Sequence, residues 1–288
     1  MTTQTQYSTF SVRPVTAALG AEILDIDLNA PLAEETKAEL RSALWQHLVL
    51  FFRDQHIDDE HHLALARCFG EPQVHPIQSA LGRSDPLEDI IDTPESVPDR
   101  AGWHTDVTYM QRPPMAAVLR CEVAPDFGGD TLWANMYLAY EKLSDGMKRY
   151  LVDLRGFHAT DMRFLDYLKR HLPEEASEKV MGAVGAGSSH PLVRTHPETG
   201  RKALFVDRSF MVRIEGLERE ESSFLHDFLA SRVNDISISC RFDWTKGAVA
   251  VWDERVTQHA GSADHKGSHR VLRRCTIAGD RPQSSHAS

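Results

Sequence analysis

His104 and Asp106 stand one residue apart in Trp103-His104-Thr105-Asp106. On a strand such a pair shares a face, with Cβ atoms about 7 Å apart, so both can bind one ion. A third imidazole, His259, ends the run Trp252-Asp253-Glu254-Arg255-Val256-Thr257-Gln258-His259 and has to arrive on another strand or loop. Two imidazoles and one carboxylate on one side of a metal leave its other side open, the ligand set of non-haem Fe(II) oxygenases. The chain has 15 histidines, so an H-x-D pair also fits an ordinary solvated strand edge. A second constellation lies at Arg270–Ile277. If this is a strand, Arg270, Leu272, Arg274 and Thr276 share one face, with the guanidiniums about 13 Å apart. Buried, that face demands anionic partners, and a dicarboxylate suits two planar forks. The opposite reading has both arginines in solvent while Cys275 and Ile277 pack inside, and periodicity alone does not choose between the two.

The elements that position these residues follow from periodicity and chain breakers. Residues 10–12 and 20–26 alternate as short strands. Pro31 opens a helical pattern carrying Leu40, Ala43, Leu44 and His47. Val49–Phe52 reads as a buried strand, and 58–69 as a helix capped by Asp58 or Asp59 and ended by Gly70. Residues 75–102, rich in Pro, Asp, Ser and Gly, read as a long mobile loop. A strand over 103–123, broken at Pro113-Pro114, precedes a turn at Gly128-Gly129. Residues 135–150 have helical spacing, with Tyr137, Tyr140 and Leu143 on one face. Residues 162–181 are helical in pattern, and the small residues 182–189 read as the hinge of a lid-like segment near 162–190. Strands return at 203–207, 248–252 and Arg270–Ile277, and 283–288 read as a disordered tail. Without regular β-α alternation, antiparallel strands with helical decoration fit better than a doubly wound sheet.

Composition narrows the function. The 288 residues carry 32 basic and 42 acidic side chains, a net charge of −10, which argues against a nucleic-acid-binding surface. With no apolar stretch long enough to cross a membrane and no signal-peptide core, a cytoplasmic protein is expected. Cys68, Cys121, Cys240 and Cys275 form no C-x-x-C pair and read as reduced, buried thiols. The length allows one large domain or two small ones.

Six stretches then resemble the taurine dioxygenase/TfdA family of Fe(II)- and 2-oxoglutarate-dependent dioxygenases. They are Trp103 to Thr108, Gly128-Gly129-Asp130-Thr131-Leu132-Trp133, Pro191 to Pro197, Leu204-Phe205-Val206, Trp252 through His259, and Arg270 through Arg274. Their order and spread imply one domain over 1–282, mainly β with helical decoration around a double-stranded β-helix, a jelly-roll-like core. The resemblance implies His104, Asp106 and His259 as catalytic iron ligands. Thr131 and Arg270 would hold the distal carboxylate of 2-oxoglutarate, and Arg274 would sit near its other carboxylate and the primary substrate. O2 is the second co-substrate, and the implied outcome is hydroxylation of a C–H bond, with desaturation or epoxidation as variants. A homo-oligomer, dimer or tetramer, is implied as well.

The substrate side of the resemblance is thinner. His75 is kept from the taurine-binding pattern, whereas Gln78 stands at its Tyr position and Arg100 at or beside its Asn position, which weighs against taurine itself. Phe164 and Phe210 match aromatic pocket positions, and Arg163 replaces a small polar residue. The formal charges of Fe(II), Asp106, Arg270, Arg274 and 2-oxoglutarate leave the pocket net positive, so a small anionic substrate is expected. A natural-product carboxylic acid in a biosynthetic pathway is the first reading, and a sulfonate or alkyl sulfate ester in sulfur scavenging the second. Two readings of other classes are a non-catalytic jelly-roll binding protein and a zinc hydrolase.

Overall fold

A computed structural model describes residues 7–95, 102–160, 166, 168–170 and 172–284. Its largest sheet runs in the order Ser11–Pro14, Ala21–Leu24, Val49–Phe52, Val249–Asp253, Ala116–Val123, Arg270–Ile277. Pro72–Gln73 and Leu87–Asp92 both pair with the last of these strands. Neighbours are antiparallel except Ala21–Leu24 beside Val49–Phe52. A second sheet, Ser239–Phe242, Thr131–Asn135 and Thr257–Gly261, supplies the other wall of the jelly-roll core. Arg155–His158 lies between Met211–Ile214 and Ser188–Pro191 in a third sheet.

The core fills the space between the first two sheets. Phe51 meets Trp133 edge-on at 5.4 Å, Trp133 meets Trp252 at 5.7 Å, and Phe51 stacks on Phe242 at 4.2 Å. Edge and offset contacts of this kind suit the ring quadrupoles. The helix Glu34–His47 buries Leu40, Ala43 and Leu44 against the outer face of the large sheet, along with the helix Asp59–Arg67. Asp58 caps the latter by accepting the His61 backbone N–H at 2.9 Å. All four cysteines are buried and unpaired, as expected.

Several expectations change. The stretch 75–102 is not one irregular loop. His75 accepts the Ile77 N–H at 3.3 Å and Pro76 fills the first turn of a helix, Pro76–Ala80, while Leu87–Asp92 is a six-residue strand. The helical pattern 135–150 divides into Met136–Glu141, capped by Asn135, and Asp145–Leu151, capped by Ser144. The stretch 182–189, expected as a hinge, spans the end of the helix Glu174–Val184 and the start of the strand Ser188–Pro191. Gly187 serves close approach: it has φ +94°, and a Cβ there would lie 2.3 Å from the His158 carbonyl oxygen. A helix at Arg219–Ala230 was not anticipated.

Candidate active site

Three donors converge where the two core sheets face each other. His104 is held by an isolated antiparallel bridge to His259, with N–H···O distances of 3.0 and 2.8 Å in the two directions. The chain then turns through 106–109, with Val107 at φ 43°. The expected strand over 103–123 is therefore confined to Ala116–Val123. His104 and Asp106 meet because this turn folds Asp106 back, not because a pleat alternates. His104 Nε2 lies 3.5 Å from Asp106 Oδ1, and His259 Nε2 3.9 Å from the same oxygen. The three donor atoms all lie within 4.8 Å of one another. With metal–ligand bonds of about 2.0–2.2 Å, that spacing suits a single ion.

The environment prepares these groups as ligands. The Gly102 carbonyl oxygen lies 2.9 Å from His104 Nδ1, which fixes the N–H there and turns the Nε2 lone pair toward Asp106. Burial opposes charge on His104, but the hydrogen bond and charge of Asp106 outweigh it and raise the imidazole above its ordinary value. Burial and the neighbouring His104 push His259 down to about 3. Asp106 stays ionised, because Arg274 and the two imidazoles outweigh its burial. His259 is thereby kept neutral beside an ionised Asp106, a mixed imidazole and carboxylate donor set of the kind that binds a divalent cation.

Glu254 lies behind the donors, wholly buried. Its Oε1 accepts the Trp252 indole N–H at 2.6 Å, and its Oε2 accepts the Asp106 backbone N–H at 3.3 Å. Oε1 is also 3.8 Å from His259 Nδ1, which has no hydrogen bond among the described residues. Burial and then the charge of Asp106 raise the Glu254 carboxyl well above its ordinary range.

Beside the triad a cavity of about 80 Å³ is lined by His104, Thr131, His259, Arg270, Leu272 and Arg274. Arg270 and Arg274 are both buried, not in solvent, and Cys275 and Ile277 pack inside on the opposite face, so the strand is covered on both sides there. Arg270 Nε donates to Asp92 Oδ2 at 2.8 Å and Nη1 to the Gly129 carbonyl, so part of the fork is anchored and the rest faces the cavity. Thr131 Oγ1 accepts the Trp244 indole N–H at 3.0 Å, which leaves its own O–H to donate. Arg274 bonds Asp106 Oδ2 at 2.6 Å and Glu88 Oε1 through Nε at 2.8 Å.

Asp92 and Glu88 overturn the charge sum read from the sequence. They bring two buried anions to the two arginines, so the expected net positive pocket is lost. Neither acid was anticipated, because their strand was taken as loop. The available signal was alternation: Glu88, Ile90 and Asp92 stand opposite Arg274, Leu272 and Arg270 in the ladder.

The remaining candidates divide. Gln78 joins the site indirectly, donating to Glu88 Oε2 at 3.3 Å. His75 is buried at the start of the same helix. Phe210 meets Tyr109 edge-on at 5.1 Å and packs on the cluster that holds Val107, Leu168 and Val180. Arg100, Arg163 and Phe164 lie outside the described residues.

Known proteins agree with this geometry. A family model described as taurine catabolism dioxygenase TauD, TfdA family matches residues 11–276. An alkylsulfatase from Acinetobacter baylyi is 35% identical over 292 residues, 99% of this chain and 91% of its own. An alpha-ketoglutarate-dependent sulfate ester dioxygenase from Pseudomonas putida is 34% identical, covering 94% of this chain and 90% of its own. The crystal structure of a taurine dioxygenase from Burkholderia xenovorans superposes with a TM-score of 0.81 at 34% identity, over 98% of this chain and 95% of the other. The chain belongs to the TauD/TfdA family and is a 2-oxoglutarate-dependent dioxygenase.

Proposed function

We propose that His104, Asp106 and His259 hold Fe(II), and that this enzyme oxidises a C–H bond of a small organic substrate bearing one anionic group. The observation that carries the reading is the convergence of those three donors beside the cavity that Arg270 and Thr131 line. The family uses Fe(II), 2-oxoglutarate and O2, and the bound metal supplies the oxidising chemistry coupled to conversion of 2-oxoglutarate to succinate and CO2.

The chain's own residues do the rest. The cavity side of Arg270 and the Thr131 O–H bind the distal carboxylate of 2-oxoglutarate. Asp92 and Gly129 hold the guanidinium in place, so it loses little freedom when that anion arrives. Arg274 tethers Asp106 from the side away from the imidazoles. Ile90, Leu119 and Leu272 form apolar walls that keep water out of the reaction.

Two substrate chemistries fit. The carboxylic acid is the reading of the sequence, and the names of the two enzymes from Acinetobacter and Pseudomonas support a sulfate ester. The intact triad beside the arginine pair argues against the binding-protein reading, and the zinc-hydrolase reading gives Arg270 and Thr131 no task. The test is O2-dependent succinate release against a panel of alkyl sulfates, sulfonates and carboxylic acids. Oxidation of a sulfate-bearing carbon also frees inorganic sulfate and leaves an aldehyde, whereas a carboxylic acid yields a hydroxylated acid. Succinate stimulated by none of the anions would overturn the anionic-substrate reading.

A further inference from the structure

Arg274, bonded to a donor of the metal triad, already carries an anion on its other side. Nε and Nη2 both donate to Glu88 Oε1, at 2.8 and 2.5 Å. Glu88 stands directly across the ladder from Arg274, and the two side chains are only 12% and 11% exposed. The second Glu88 oxygen accepts from Gln78, whose own oxygen accepts from Arg83 Nη1 at 2.9 Å. Glu88 is thus held from the short helix Pro76–Ala80 as well as from the sheet.

A carboxylate on the Nε–Nη2 edge of a guanidinium sits where a bound carboxylate or sulfate would sit. We infer that Glu88 is a specificity-determining residue that competes internally for Arg274, so that a substrate anion reaches that edge only by displacing the Glu88 carboxylate. The inference rests on the oxygenase reading given above. Without exchange, a substrate anion would crowd Glu88 and Asp106 around one buried guanidinium, and like charges there repel strongly. With exchange, the guanidinium keeps one anion on that edge throughout. In the resting arrangement burial raises the Glu88 pKa, but Arg274 and then His75 more than offset this and hold it below the ordinary range, so the competitor on that edge is charged. The exchange filters substrates. An anion that binds guanidinium well displaces Glu88, and a neutral analogue gains nothing from Arg274.

The experiment is anaerobic calorimetry on protein loaded with Fe(II) and 2-oxoglutarate, titrated with hexyl sulfate, hexanoate and 1-hexanol. Glu88→Gln keeps the shape and an acceptor oxygen but removes the competing charge, and Glu88→Ala empties the edge. Both variants are expected to bind the two anions about tenfold or more tightly than wild type, with 1-hexanol changed less than twofold. Anion affinity that is unchanged or weaker in the variants, or undetectable in all three proteins, overturns the inference, because Glu88 then only steadies Arg274. Equal tightening for 1-hexanol overturns it too. The visible band of the Fe(II)–2-oxoglutarate complex is recorded for each protein. A band without the affinity gain sinks this inference alone, whereas no band in wild type sinks the oxygenase reading itself.

Discussion

Replacing Arg270 by Met isolates the arginine proposed to clamp 2-oxoglutarate. The guanidinium spends one N–H on Asp92 and another on Gly129, and the rest of the fork faces the cavity. Two charge-assisted hydrogen bonds to a carboxylate, at about 1.5–3 kcal/mol each, make about 3–6 kcal/mol. The 2-oxoglutarate dissociation constant should therefore rise between about a hundredfold and ten-thousandfold. The single variant also strands Asp92, which is 3% exposed and, among the described residues, keeps the His265 bond at 3.1 Å as its side-chain partner. Leaving a buried charge without its partner costs about 3–5 kcal/mol of stability, so a lowered thermal midpoint accompanies the lost affinity. The double variant Arg270→Met/Asp92→Asn removes both charges and should recover most of the stability and none of the affinity. The assay is anaerobic titration of 2-oxoglutarate into the Fe(II) protein, followed by its visible charge-transfer band. A folded double variant that binds 2-oxoglutarate within about threefold of wild type would refute the assignment.

Two further outcomes follow from the buried acids and imidazoles. Glu254→Ala takes the acceptor from Trp252 Nε1 and from the Asp106 N–H, and Fe(II) affinity should fall about 10–100-fold while Glu254→Gln retains most of it; equal affinity in all three proteins contradicts a positioning role. Burial, helped by Arg120, pushes His62 from 6.5 down to about 3, and burial takes His190 to about 4. The unfolded chain takes up these protons near pH 6.5 and the folded chain does not, so stability is full above that pH and declines as pH falls from 6.5 toward 4, by about 3 kcal/mol per group. Thermal midpoints of wild type and His62→Leu across pH 7 to 4 check this, and identical slopes would contradict it.

The three donors were legible through the ordered stretches that resemble the family, since an H-x-D pair in a chain with 15 histidines does not by itself single out a metal site. Their route into space was not, since the turn at 106–109 places Val107 at a positive φ that no glycine announces. The strands Val49–Phe52 and Arg270–Ile277 were visible as a β-branched or aromatic run and as an alternating one. Leu87–Asp92 was hidden because Asp and Glu are depleted in strands, and its three acids Glu88, Asp89 and Asp92 stand opposite Arg274, Arg273 and Arg270 in the ladder. The same oversight made the pocket look positive. The helix Arg219–Ala230 begins with a capping box built on Glu218 and Glu221 rather than on Ser or Thr, which weakened its start signal. The break in 135–150 was written in Ser144, a cap that the longer apolar pattern overrode.

The iron site at His104, Asp106 and His259 is tested most directly by anaerobic addition of Fe(II) and then 2-oxoglutarate to the wild-type protein and to His104→Ala. Wild type is expected to bind Fe(II) stoichiometrically and to develop a weak visible charge-transfer band, and the variant to develop none. A wild-type protein that binds no Fe(II) and develops no band, or a variant whose band is undiminished, would contradict this assignment.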